Sequence, residues 1–213
     1  MTPIMLETGL VAFAAFFATI DPIGVAVIFA AITSGSTAAQ RRSMAFRGTW
    51  IAAGILLVFT IFGDTLLNYM GITLPALRIA AGILLMLLAI DMVFARSSGG
   101  RATTETEAEE AEQKLDISVF PLATPLIAGP GAMGAGILLM AQAEGDPILE
   151  AIVIGALAVV LAINLVLLFV ATQVQRLLGV TGLNVVARVM GILLAALAVQ
   201  FILDGLGGSG LFS

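Results

Sequence analysis

Three observations predict an all-α, polytopic membrane protein, with six transmembrane helices in two inverted three-helix repeats and helices one and four broken at Pro/Gly motifs. The first is composition: of 213 residues, 60% are hydrophobic and only 11% charged, where a soluble domain carries about a quarter charged residues. The second is a set of six apolar stretches, each near the ~20 residues that cross a bilayer as a helix. The third is a pair of helix-breaking motifs inside two of those stretches. They are Ala18-Thr19-Ile20-Asp21-Pro22-Ile23-Gly24 and Ala123-Thr124-Pro125-Leu126-Ile127-Ala128-Gly129-Pro130-Gly131.

Composition also excludes chemistry. Cysteine and histidine are absent, which removes disulfides, thiol nucleophiles, zinc sites and histidine proton relays, so no metal or cofactor is expected. No basic patch offers a nucleic-acid surface. The N-terminus lacks a basic leader region, so its first apolar segment reads as a span and not as a cleaved signal. The spans use most of the chain, and residues 1–213 read as one transmembrane domain.

The predicted spans run Leu10–Ile32, Thr49–Leu67, Leu74–Phe94, Ile117–Met140, Ile148–Ala171 and Val185–Leu203. Between the first two lies Thr33-Ser34-Gly35-Ser36-Thr37, then Arg41, Arg42 and Arg47, read as loop. A tight turn at Gly71 joins the second and third, with Pro75 suited to a first helical turn. An acidic linker over residues 96–116 separates repeat one (1–95) from repeat two (117–213). Gly145-Asp146-Pro147 turns into the fifth span, and the Gly179–Gly182 region leads into the sixth.

Lysine and arginine set the orientation. Eight of the nine fall on one side (Arg41, Arg42, Arg47, Arg96, Arg101, Lys114, Arg176, Arg188) and only Arg78 on the other. That side is expected to be cytoplasmic, with both termini outside and the protein multi-pass in an inner or plasma membrane.

The repeat rests on several matches in the same order. Gly82-Ile83-Leu84-Leu85-Met86-Leu87-Leu88-Ala89 aligns with Gly191-Ile192-Leu193-Leu194-Ala195-Ala196-Leu197-Ala198, identical at six of eight positions. Gly71-Ile72-Thr73 matches Gly179-Val180-Thr181, and Arg78 and Arg188 follow at similar distances. Asp21-Pro22 is matched to Thr124-Pro125. An odd number of spans per copy inverts the second copy in the membrane.

Each interruption has a physical cause. Proline lacks an amide proton, so Pro22, Pro125 and Pro130 release the carbonyls of Ala18, Pro121 and Leu126. The residues before them, Asp21, Thr124 and Gly129, are pushed out of helical geometry. Unpaired backbone is costly in hydrocarbon and survives where it is packed in protein or lines a cavity. Paired interruptions in two halves point to a transport site.

At these residues the sequence resembles the MarC family of integral membrane proteins. The resemblance rests on Asp21-Pro22-Ile23-Gly24, Arg78-Ile79-Ala80-Ala81-Gly82-Ile83 and the run from Val119 through Pro121, Thr124-Pro125 and Gly129-Pro130-Gly131 to Ala132. It implies a six-helix transporter, kinship with the LysE-type amino acid exporters, and small neutral amino acids such as glycine or alanine as substrates. Asp21 stands where the family often has asparagine, and Val27 where it often has a second proline.

A small zwitterion needs a partner for each charge and little space. Half-helix amides near Gly24 and after Pro130 suit its carboxylate. Freed carbonyls, the Thr19 and Thr124 hydroxyls and the Asp21 carboxylate suit its ammonium. The substrate-binding candidates are therefore Thr19, Asp21, Pro22, Gly24, Thr124, Pro125, Gly129, Pro130 and Gly131. The competing reading is that these residues only let helices pack closely. Arg78 and Arg188 read as gating or structural charges, or as snorkelling side chains. Asp64, Asp91 and Gln200 read as interfacial, and Asn164 as either interhelical or pore-lining. A passive channel and a regulatory membrane protein are the alternatives to a transporter. An intramembrane enzyme is disfavoured because no second deep aspartate, base or thiol stands out. The expected partners are the substrate, membrane lipid and a coupling ion, proton or sodium, with a homo-oligomer left open.

Overall fold

In the computed structural model, which describes residues 3–94 and 116–210, every regular element is helical. The acidic linker lies outside the described residues except at Asp116. The helices are α1 (Pro3–Ile20), α2 (Pro22–Ile32), α3 (Ala38–Met70), α4 (Leu74–Val93), α5 (Ser118–Ile127), α6 (Pro130–Gln142), α7 (Pro147–Phe169) and α8 (Ala171–Gly208). Five stretches are long and apolar enough to cross a bilayer, and six when the bent pair α5–α6 counts as one span.

The turns follow from their residues. Gly71 closes α3 at φ 69, a left-handed conformation that costs glycine nothing. Thr73 then caps α4, its hydroxyl accepting from the Ala76 amide, with Pro75 in the first turn. Asp146 caps α7 by accepting from the Ile148 and Leu149 amides. Gly179, at φ 58 and ψ −178, kinks α8 ahead of its membrane-spanning part, Val185–Gly208.

Two sequence expectations are corrected. Arg41, Arg42 and Arg47 lie within α3 and not in a loop, because Thr37 and Gln40 form a capping box that starts the helix at Ala38. The first span begins at Pro3, well ahead of Leu10. The helix after the second interruption starts at Pro130, where its half-helix amides were expected, and Pro130 is first in its helix as Pro22 is first in α2.

The most extensive helix pair is α4 with α8. Glycines let it close: Gly82 faces Ala198 and Ile202, while Gly191 faces Ala89, Met92 and Val93. On the other side, α1 and α2 lie along α7, and α5 and α6 lie along α3. The first span is the most enclosed, with 56% of its apolar window buried against 17% for the span in α8. The main core gathers around it, with Phe16, Ile20, Val25 and Phe29 fully or almost fully buried. Apolar side chains on the outer faces, such as Ile83, Leu87, Val189 and Leu193, are exposed, as suits contact with lipid.

Candidate functional site at the helix interruptions

The first interruption is one residue wide. Asp21 adopts φ 48 and ψ 69, a left-handed conformation that aspartate tolerates better than most residues. Its amide still bonds the Phe17 carbonyl and its carbonyl accepts from Val25, so the backbone is paired on both flanks. Its carboxylate caps α2 by accepting from the Gly24 amide at 3.1 Å. A β-carbon on Gly24 would collide with that carboxylate as it now lies, so glycine suits the cap in this geometry. Asp21 is only 4% exposed, and Pro22 is buried behind it.

The second interruption is wider. In α5 the Leu122 amide reaches back five residues to Ile117, and Ala128 likewise to Ala123. Phe120 and Thr124, each before a proline, are extended, Thr124 at φ −135 and ψ 126. Gly129 then leads into α6 at a 55° bend. A β-carbon on Gly129 would lie 2.9 Å from the Pro125 carbonyl oxygen. Thr124, Pro125, Gly129 and Gly131 are half-buried, and Pro130 is exposed. Unlike α2, α6 has no side-chain cap at its N-terminus.

The two interruptions meet. A β-carbon on Gly131 would lie 4.0 Å from the Thr19 methyl carbon and 2.7 Å from Leu85 Cδ2. Thr19 turns its hydroxyl back to the Ala15 carbonyl, 2.8 Å away. Of the two amide-bearing ends expected to receive a carboxylate, only that of α6 lacks a side-chain cap, because Asp21 occupies Gly24. Arg78 and Arg188 are not gathered here. Arg78 packs beside Gly205 of α8 and lies two turns of α4, about 10 Å, from Leu85; Arg188 is exposed on α8.

Asn164 adds a residue that the sequence left undecided. It is fully buried, and neither its side-chain oxygen nor its nitrogen has a hydrogen-bond partner. Helix α7 runs parallel to α1 and α2: Gly9 faces Ile152, and Phe29 and Thr33 share a cavity with Leu168 and Thr172. Asp21 and Asn164 lie equally far along their helices from the Gly9–Ile152 contact, so Asn164 stands level with the first interruption. The Thr49 and Thr60 hydroxyls of α3 are also buried without partners. Thr60 faces Gly136 of α6.

A family profile described as MarC family integral membrane protein matches residues 6–209. The chain belongs to the MarC family. It is 38% identical over 197 residues to a UPF0056 membrane protein of Archaeoglobus fulgidus, covering 91% of this chain and 90% of that one. It is 36% identical to UPF0056 membrane protein YvbG of Bacillus subtilis over 92% of each chain. With UPF0056 membrane protein YhcE of Escherichia coli it shares 34% identity over 92% of this chain and 90% of the relative. No solved structure matches at a significant level. Both interruptions, Asp21–Gly24 and Thr124–Gly131, fall inside the region that the MarC family profile covers.

Proposed function

We propose that this MarC-family protein is a secondary transporter of small neutral amino acids, glycine or alanine in size, and not an enzyme. Substrate sits where the two interruptions meet, near the middle of the membrane. Its carboxylate receives the Gly131 and Ala132 amides at the N-terminus of α6, where the helix dipole favours an anion. Its ammonium meets Asp21, Thr124 and the carbonyls that the prolines release, and the Asn164 amide supplies a further donor and acceptor.

The approach of Gly131 to Thr19 carries this reading, because it unites an end of α6 without a side-chain cap with the residue next to the Ile20–Asp21 break. Glycine at 129 and 131 lets the backbone approach closely here, since a β-carbon at either would already crowd Pro125 or Leu85. Two further features support inverted repeats and alternating access. Gly82 and Gly191 make corresponding contacts across α4 and α8. The first span also lies on α7 as the fourth lies on α3, the pairing expected if α3 and α7 are counterparts. The two sets of helices would rock about the meeting point, with the arginine-rich end in the cytoplasm and a proton or sodium ion coupled to transport.

Reconstitution in liposomes tests the reading: the twenty amino acids are offered with imposed proton and sodium gradients. Saturable uptake of glycine or alanine is expected. Uptake of none, or flux that does not saturate, contradicts it.

A further inference from the structure

At the arginine-rich end a cleft of about 490 Å³ opens where four helix ends converge. Its walls come from α2 (Phe29, Ala30, Thr33), α3 (Arg41, Arg42), α7 (Leu168, Phe169) and the first turn of α8. Phe29, Ala30 and Leu168 also pack into the core, while Arg42 and Phe169 are exposed. Arg41 donates to the Thr172 hydroxyl at 2.9 Å, which leaves most of its guanidinium donors for other acceptors. The Arg42 guanidinium carbon lies 5.5 Å from the centre of the Phe169 ring.

Charge here is unbalanced. Among the described residues no carboxylate pairs with Arg41 or Arg42; the ion pair seen is Arg47 with Asp116 at 2.8 Å, outside the cleft. The residues of the first turn of α8, Ala171, Thr172 and Gln173, line the cleft, and that helix also has no side-chain cap. Two guanidinium groups therefore face one space.

The depth of the cleft suits a headgroup. Arg42, Phe46 and Trp50 follow one another at four-residue spacing on the exposed face of α3, with the Phe46 and Trp50 rings 6.1 Å apart. Trp50 lies about 12 Å along the helix from Arg42, and exposed tryptophan favours the boundary between headgroups and hydrocarbon. Basic pockets between spans at this boundary are suited to anionic headgroups.

We propose that the cleft between Arg41, Arg42 and the first turn of α8 binds a phosphate group, carried by an anionic phospholipid or free in solution. This site is separate from the amino acid site and does not rest on the transport reading. To test it, full-length protein in neutral detergent is mixed with phosphatidylglycerol, phosphatidylcholine or inorganic phosphate. Bound adducts are read by native mass spectrometry and stabilisation by thermal unfolding, with chloride at equal ionic strength as the reference. Wild type is expected to hold phosphatidylglycerol at least tenfold more tightly than phosphatidylcholine. Arg41→Gln and Arg42→Gln should each weaken that binding about tenfold, as loss of one hydrogen bond to a charged group does. Arg47→Gln should leave it unchanged. Stabilisation by inorganic phosphate with the same dependence on Arg41 and Arg42, without preference for phosphatidylglycerol, upholds the site and assigns it to free phosphate. A wild type that neither prefers phosphatidylglycerol nor responds to phosphate overturns the proposal, whether or not the variants fold. An equal loss in Arg47→Gln also overturns it, because binding would then follow surface charge in general.

Discussion

Gly82 and Gly191 meet each other's helix in the same way. A β-carbon on Gly82 would lie 2.7 Å from the Ala198 carbonyl oxygen, and one on Gly191 would lie 3.1 Å from that of Ala89. Ala89 and Ala198 are themselves counterparts in the aligned segments, so the contact is reciprocal. Contacts of this kind arise when two copies of a motif pack about a two-fold axis.

Reciprocity gives the first expectation. The groups opposite both glycines include backbone, which cannot turn aside as a side chain tip can. Gly82→Ala and Gly191→Ala should each destabilise the protein by the ~1–3 kcal/mol typical of overpacking. Gly54→Ala, on an exposed face with nothing within 4 Å, should not. Thermal unfolding in detergent measures all three. Free tolerance of alanine at one of the pair and not at the other contradicts the reciprocal packing.

Asp21 combines a left-handed backbone with a capping carboxylate. Asparagine can satisfy both needs, whereas alanine loses the cap, at a cost of about 0.5–2 kcal/mol. Asp21→Asn should therefore fold like wild type, and Asp21→Ala should unfold at lower temperature and transport at least tenfold less. Equal stability of the two variants would remove the capping role.

Asn164 is buried with unmet polar atoms, a state that costs about 1–3 kcal/mol. Asn164→Leu should leave stability equal or raise it while lowering glycine uptake at least tenfold. If uptake is unchanged and stability rises, Asn164 takes no part in the site.

Asp116 gives the pH dependence at the arginine-rich end. Hydrogen bonds from Ser118, with a smaller contribution from Arg47, hold its carboxyl below the usual carboxylate range. Its stabilising contribution is present above its unfolded pKa of ~3.9 and is lost as pH falls through the lower folded value. Asp116→Asn should remove that acid-side dependence and leave stability at pH 7 little changed, because the Arg47 pair is exposed. A large loss at pH 7 would contradict this.

Much of this was legible in the sequence, for local reasons. Proline and glycine fix backbone without tertiary help, which made the breaks at Pro22 and Pro130 and the turns at Gly71 and Asp146 readable. Hydropathy alone could not place the start of α3, because a span is counted from its first apolar residue and a helix from its cap. The Thr37–Gln40 capping box was the available signal. The cleft at the arginine-rich end was not legible at all, since it joins residues from four helix ends.

The most direct measurement of the central claim is counterflow in liposomes, with alanine inside and labelled glycine outside. Wild type should accumulate glycine transiently and saturably. Gly131→Leu, whose side chain would crowd Leu85 and Thr19, should abolish accumulation, while Gly54→Leu at matched expression and folding should not. Normal counterflow in Gly131→Leu would contradict a substrate site at the meeting of the two interruptions.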